Sequence, residues 1–141
     1  MFNCNEVIMS TLKVNTIQNT SGSSSSTPEQ IEAGRAKSFV SCNTRSTLAI
    51  LHSFNVSSVT DNGVGDHTVN FSTAHSDADY PIAGTGVTNS GNENSVVKVG
   101  PRATTDSNNL PLTKTTSAVR LRVGSGTTEM DVGNWYMVTY D

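Results

Sequence analysis

The stretch His52–Ser72 decides the fold class of this chain, and it reads HSFNVSSVTDNGVGDHTVNFS. Apolar and polar residues alternate on both sides of its centre, which is the period-two pattern of half-buried β-strands. Asn62-Gly63 lies between the two alternating runs, and this dipeptide accepts the positive φ angles of a tight turn. The stretch therefore predicts a β-hairpin.

The same stretch contains two histidines, two aspartates and a Gly-Val-Gly sequence, which raises the alternative of a chemical site. His52 lies on an apolar strand face, where a core or interface histidine is the commoner arrangement. Asp61 and Asp66 flank the turn, where carboxylates ordinarily bond nearby amides. Residues 63–65 lack the following helix and the Lys-Ser/Thr pair of a phosphate loop. These observations favour the hairpin.

The composition extends the β prediction to the rest of the chain. Ser and Thr number 19 each, Asn 14 and Gly 11 among 141 residues, whereas charged residues make up 15%. Thr and Val favour strands, and Asn and Gly favour turns, while helix surfaces are usually rich in Glu, Lys, Ala and Arg. Further strands are predicted at AKSFVSCN, TLAILHSFNV, YPIAGTGV, SVVKVG, SAVRLRV and WYMVTY. We predict an all-β sandwich or jelly-roll-like body of about seven or eight strands.

Before this body, the chain is predicted to form an extended arm. The arm comprises residues 1–26, and its SGSSSS stretch has the composition of a flexible linker. Within the arm, the segment STLKVNTIQ can pair as a strand through Leu12, Val14 and Ile17, which are the predicted docking residues.

A short connecting helix is predicted over residues 27–36, and the β body over residues 37–141. Thr27 is a suitable N-cap, Pro28 suits the first helical position, and Gln30 completes a capping box. Gly34 can end the helix after one or two turns.

Several function classes receive no support from the sequence. The net charge is −3 and no basic stripe is present, so nucleic-acid binding is not expected. No apolar run approaches the ~20 residues of a membrane span, and the first residues lack the basic-then-apolar order of a signal peptide. Membrane insertion and export by a standard signal are therefore not expected.

No catalytic, metal or cofactor site is predicted. The best metal candidate is HSDAD, because His75, Asp77 and Asp79 would point one way at strand spacing, but the segment supplies too few ligands. Cys4 and Cys42 are far apart and form no CxxC pair, so Cys42 is expected to be a small core residue. No hydrolase motif is present, and no well-placed pair of carboxylates can be named. We expect a protein that is not an enzyme.

Two further sites follow from strand alternation. In TLAILHSFNV, one face carries Leu48, Ile50, His52, Phe54 and Val56. Ala49 and Leu51 lie on the opposite face, so the strand is apolar on both sides and these two residues are predicted in an oligomer interface. In the last strand, Trp135 is the candidate for glycan contact, although alternation predicts that at least one aromatic residue there is core.

Two segments of the chain resemble a known family. They are MSTLKVNTIQNTSGSSSSTPEQIEAGRAKSFV, which starts at Met9, and SFNVSSVTDNGVGDHTVNFSTAHSDADYPIAG, which ends at Gly84. The order of arm, TPE helix and hairpin resembles the recurrent module of tail-fibre-like structural proteins of bacteriophages, notably those that infect cyanobacteria. Members of that family have an aromatic residue at the position of Phe39, as here, and a tyrosine where this chain has His67.

The resemblance implies a virion protein without catalysis or cofactor, made in the host cytoplasm and assembled as a homotrimer. Its N-terminal arm would bind another virion protein of the tail or capsid. Its body would point outward and take part in host attachment, with a host surface glycan as a candidate ligand. Two alternatives stay open, namely a capsid decoration or cement protein and a carbohydrate-binding module.

Overall fold

A computed structural model describes residues 13–87, 97–101, 114–125 and 128–141 of the chain. The chain divides into two compact units, Met1–Gly34 and Arg35–Asp141. Two short strands and one short helix lie in the first unit, and the other described strands lie in the second. The predicted all-β class with one short helix is confirmed.

The first unit, which we call the arm unit, contains a small hairpin of β1 (Ile17–Gln18) and β2 (Ser25–Ser26). The Ser-rich stretch predicted as a linker forms its turn, because the side chain of Asn19 bonds across it. Asn19 Nδ2 donates to Ser23 Oγ at 3.0 Å, and the backbone N–H of Asn19 donates to the Ser24 carbonyl at 3.0 Å. Gly22 provides the positive φ angle (72°) that closes the turn.

The helix α1 (Pro28–Gly34) starts where the sequence predicts it. The backbone N–H of Thr27 donates to Gln30 Oε1 at 2.9 Å, and the backbone N–H of Gln30 donates to Thr27 Oγ1 at 3.2 Å. This reciprocal pair is a capping box, which satisfies backbone donors that the first helical turn leaves unpaired. Thr27 and Gln30 therefore act as predicted.

The second unit, which we call the body, is built on one curved antiparallel sheet. Its strands are β3 (Ala36–Asn43), β4 (Ala49–Phe54), β5 (Val56–Gly63), β6 (Asp66–Phe71), β7 (Ile82–Val87), β8 (Val97–Pro101), β9 (Ala118–Ser125), β10 (Thr128–Glu129) and β11 (Asn134–Tyr140). They follow the order β4-β3-β11-β7-β8-β9-β6-β5 in the sheet, and β10 pairs with β9 outside this order.

Strands β7, β8 and β9 are consecutive antiparallel neighbours, and β11 returns to lie beside β7. This order is a Greek key, which is common in β-sandwiches. The terminal strands of the sheet, β4 and β5, are consecutive in the chain and meet at Asn55, which takes a positive φ of 54°. The sheet thus curls so that the chain passes directly from one of its ends to the other.

The two halves of the sheet face each other across one core. Trp135 of β11 stacks on His67 of β6 with ring centroids 5.5 Å apart, although several strands separate β11 from β6 in the sheet. The body is therefore barrel-like. Its buried apolar cluster comprises Val40, Cys42, Val69, Phe71, Tyr80, Val97, Val99, Val119, Leu121, Val123, Val132, Trp135 and Met137.

The hairpin of β5 and β6 is confirmed, but its turn lies two residues later than predicted. Gly63 pairs with Asp66, so the loop consists of Val64 and Gly65, and Asn62 is an extra residue within β5. Gly65 takes the positive φ (63°) that the turn requires. Contacts of the turn with the rest of the body override the local preference of Asn62-Gly63.

Candidate functional site

One outer face of the body exposes apolar and aromatic side chains. We call it the apolar face and define it by Phe39, His52, Phe54, Tyr136 and Val138. Register places them on one side of the sheet, because Phe54 lies opposite Phe39 and Phe39 opposite Val138, while His52 and Tyr136 both lie opposite Ser41. The Phe39 ring stacks on Phe54 with centroids 5.9 Å apart and meets the His52 ring edge-on at 5.4 Å.

Two large side chains of this face are far more exposed to solvent than side chains in an apolar core. Phe54 is 54% exposed and Tyr136 is 39% exposed. Next to Tyr136 lies a shallow depression of about 320 Å³, lined by Ala83, Gly84, Thr85, Tyr136, Met137 and Val138. Exposed apolar patches of this kind mark sites of interaction on soluble proteins.

The strands that carry the apolar face contain almost no charge. Among β4, β3, β11 and β7 the one charged residue is Lys37, whose Nζ lies 2.8 Å from Asp141 Oδ2. The other half of the sheet differs, because β5, β6, β8, β9 and β10 contain Asp61, Asp66, Lys98, Arg120, Arg122 and Glu129. The body thus has one half suited to contact with another apolar surface and one suited to water.

The predicted interface residues Ala49 and Leu51 both lie on β4 and are exposed. Strand alternation predicted Ile50, His52 and Phe54 on one face, and this is wrong for Ile50. His52 pairs with Ser41 and Ile50 pairs with the next residue, Cys42, so Leu51 is an extra residue that interrupts the period of two. Such an irregularity in a terminal strand hinders unwanted pairing with another strand.

The arm unit has no core of its own within its described part. From Lys13 to Gly34 each residue is exposed except Thr27, which is half-buried. A hollow of about 560 Å³ is lined by Lys13, Val14, Asn15, Ile17, Pro28 and Ile31. Of the predicted docking residues, Val14 and Ile17 line this hollow and are 37% and 54% exposed, and Leu12 lies outside the described residues.

A buried polar cluster joins the end of β11 to β3 and to the segment after β6. Asp141 Oδ1 lies 3.3 Å from His75 Nδ1, His75 Nε2 lies 3.1 Å from Thr139 Oγ1, and Thr139 Oγ1 lies 2.6 Å from Ser38 Oγ. The order carboxylate, imidazole, hydroxyl matches that of a nucleophilic triad. However, Thr139 and Ser38 are fully buried, so no substrate reaches the hydroxyls and the cluster is structural.

Asp141 accepts hydrogen bonds from several donors, which holds its carboxylate in the charged form. Besides Lys37, the backbone N–H and the hydroxyl of Ser76 donate to Asp141 Oδ1 at 3.1 and 2.9 Å. The hydrogen bond from Lys37, followed by the backbone bond from Ser76, lowers the pKa of Asp141 well below 3.8. No sequence motif signals this cluster, because its members are about 65 and 100 residues apart along the chain.

The candidate metal ligands of HSDAD do not assemble. His75 is buried against Tyr80, with ring centroids 3.9 Å apart, and bonds Asp141 and Thr139 as described. Asp77 Oδ1 accepts the backbone N–H of Asp79 at 2.7 Å, which is a local turn. Within the described ranges of the chain, no cluster of three or more His, Cys, Asp or Glu residues is arranged to hold a metal ion.

Trp135, the candidate for glycan contact, is fully buried, so that prediction is wrong. Its side chain points into the core together with Met137 and Thr139, while Tyr136 points outward. Trp135 Nε1 and both ring nitrogens of His67 lack a hydrogen-bond partner among the described residues. Asp61 Oδ1 lies 3.8 Å from His67 Nδ1, which is too far for a hydrogen bond.

The two buried histidines make stability sensitive to acid. Burial lowers the pKa of His67 and of His75 below the ordinary value of 6.5, against the opposing effects of Asp61 and Asp141 respectively. Below pH 6.5 the unfolded chain binds more protons than the folded one, so we expect the melting temperature to be constant above about pH 7 and to fall as the pH drops through 6.5. Calorimetry between about pH 5 and pH 8 measures this.

In the same series, the His67→Phe variant should show a weaker decline, because phenylalanine can stack on Trp135 without titrating. The exposed His52 provides the matched control, and His52→Phe should leave the decline unchanged. An unaltered profile in His67→Phe would assign the acid sensitivity to other groups.

Comparison of the chain with protein-family models, with curated proteins and with solved structures gave no match. In the part of the chain that the structure describes, no helix is long and apolar enough to cross a membrane. The function must therefore be inferred from the arm unit, the apolar face and the buried clusters.

Proposed function

We propose that this chain is a non-enzymatic structural protein of a bacteriophage virion, a tail-fibre-like homotrimer that its N-terminal arm anchors to another virion protein. The body would then face the host and contribute to attachment. The resemblance of residues 9–84 to phage tail-fibre-like modules supports this proposal, as does the division of the chain into an arm unit and a β body.

The observation that carries the proposal is the exposure of the arm unit. A hairpin of two-residue strands and a seven-residue helix are each marginal alone in water, because they bury too little apolar surface to offset the loss of conformational entropy. Ile17 and Ile31 nevertheless line one hollow. A partner that fills this hollow would supply the missing apolar contact, as expected of a docking element.

Replacement of Ile17 by Asp tests the docking role. A carboxylate in the hollow would have to lose its hydration when the partner fills the hollow, even with Lys13 at the edge, so we expect at least a tenfold drop in the amount of protein in purified particles. The measurement is quantitative mass spectrometry of particles from a phage that carries the variant. Since Ile17 is 54% exposed, the melting temperature of the free protein should not change.

Thr20→Asp is the charge-matched control, because Thr20 is exposed in the turn and does not line the hollow. Equal incorporation of both variants would contradict the docking role, and absence of the wild-type chain from particles would reject the proposal. The copy number decides the position: a few tens of copies indicate the tail, and hundreds indicate a capsid decoration protein.

A further inference from the structure

The apolar face of the body exposes more apolar surface than a solitary domain requires. Among the residues of the body that the structure describes, the exposed large hydrophobic ones are Ile50, Leu51, Phe54, Val64, Val87 and Tyr136. All but Val64 lie on β4, β7 or β11, which belong to the half of the sheet that carries this face. By register Phe54, Val87 and Tyr136 lie on the side of the apolar face, whereas Ile50 does not. Their clustering on one half distinguishes them from the scattered exposed residues of ordinary surfaces.

We infer that the apolar face is the surface on which a second copy of this chain packs. A partner that brings charges to this face would have to desolvate them, and Lys37 already pairs with Asp141. The surface that matches it best is another uncharged apolar face, and each further copy of the chain presents one. This inference rests on the homo-oligomer of the proposed function. In a trimer each subunit would direct the apolar face toward the threefold axis and contact both neighbours with it.

A protein partner fits this face better than a saccharide does. Sugars bind where hydrogen-bonding groups converge around an exposed ring. The row across the four strands that contains Phe54, Phe39, Val138 and Ala83 offers no polar side chain, whereas the neighbouring row carries the hydrogen-bonding side chains of His52, Ser41, Tyr136 and Thr85. Stacked phenylalanines with an adjacent valine and alanine are typical of the centre of a protein interface.

The size of the face sets the expected affinity. Four strands about 4.8 Å apart and about six residues long cover roughly 400 Å² as a flat surface, and the protruding aromatic rings add to this area. That is about half of the ~800 Å² that each partner contributes to a standard interface. We therefore expect a dissociation constant in the range of about 1 to 100 µM for this contact.

Analytical ultracentrifugation of the full chain over about 1 to 200 µM tests the inference, because this range brackets the expected constant. The wild-type weight-average mass should rise with concentration, and Phe54→Asp should weaken association at least tenfold. His52→Asp should act in the same direction and serves as a second variant should Phe54→Asp lower the melting temperature. Val64→Asp is the matched control, since Val64 is 61% exposed and lies in the turn between β5 and β6.

A wild-type chain that stays monomeric at all concentrations, or equal weakening by Phe54→Asp and Val64→Asp, would overturn the inference. Binding of a monomeric wild type to a neutral glycan array, lost in Phe54→Asp, would assign the face to a saccharide instead. The proposed function is tested separately. If the protein associates in solution but is absent from particles, the interface inference stands and the virion role is rejected.

Discussion

The Gly65→Ala variant should lose more than about 3 kcal/mol of unfolding free energy. Gly65 is buried in the hairpin turn with φ 63°, and a non-glycine residue there costs roughly 1 kcal/mol from its conformation alone. An added Cβ would also collide with the carbonyl oxygen of Val123 and lie 2.6 Å from the backbone nitrogen of Met130. Both neighbours are backbone atoms, so a side-chain rotation cannot relieve the collision.

The turn cannot move away, because both peptide groups of Gly65 are bonded to the body. Its N–H donates to Asp131 Oδ1 at 2.9 Å, and its carbonyl accepts the N–H of Val123 at 2.8 Å. Urea unfolding followed by circular dichroism measures the loss. Gly63→Ala separates conformation from collision, since Gly63 also has a positive φ but no atom near its Cβ position.

Gly100→Ala, in open space and without a positive φ, is the neutral control. We expect the order of destabilisation to be Gly65→Ala, then Gly63→Ala, then Gly100→Ala. A loss in Gly65→Ala no larger than that in Gly63→Ala would show that the turn can adjust and that the collision is not what constrains it.

The Trp135→Ala variant should lose about 3 to 5 kcal/mol, the usual cost of removing a large buried aromatic side chain. Trp135 is fully buried near the start of β11 and stacks on His67 from the opposite half of the sheet. Its removal leaves a cavity between the two halves and exposes an unbonded imidazole to it. Thermal and urea unfolding measure the loss.

Trp135→Phe should cost less than half as much, because phenylalanine keeps the stacking and removes an indole N–H that lacks a partner among the described residues. A stable Trp135→Ala variant with altered glycan binding would contradict the burial. Tyr136→Ala provides the comparison on the same strand, since Tyr136 is 39% exposed and its loss should affect stability less.

The fold was largely predictable because apolar and polar residues alternate along most of its strands. The runs around Val40, Val69, Leu121 and Met137 each place apolar residues at every second position, and each forms a strand. The capping box of Thr27 was predictable for the same reason, since it depends on residues only three apart. The interruption at Leu51 was not, because an extra residue leaves no mark in local composition.

The candidate sites were harder to predict because they depend on distant residues. Alternation separates Trp135 from Tyr136, but it does not say which one points inward. The inward face carries Thr139, a polar residue that becomes acceptable only because Ser38 and His75 bond its hydroxyl. The apolar face likewise combines β4, β3, β11 and β7, and it forms only because β11 pairs with both β3 and β7, which are distant from it in the chain.

The position of β11 has a consequence for synthesis of the chain. It is the last strand of the body to leave the ribosome, yet it lies between β3 and β7 and pairs with both of them. A nascent chain that has not reached Asn134 therefore lacks the pairing that connects its first strand to the rest of the sheet. We expect the body to fold late and slowly, after residue 140 has emerged, and chaperones to meet a chain whose apolar strands are still unpaired.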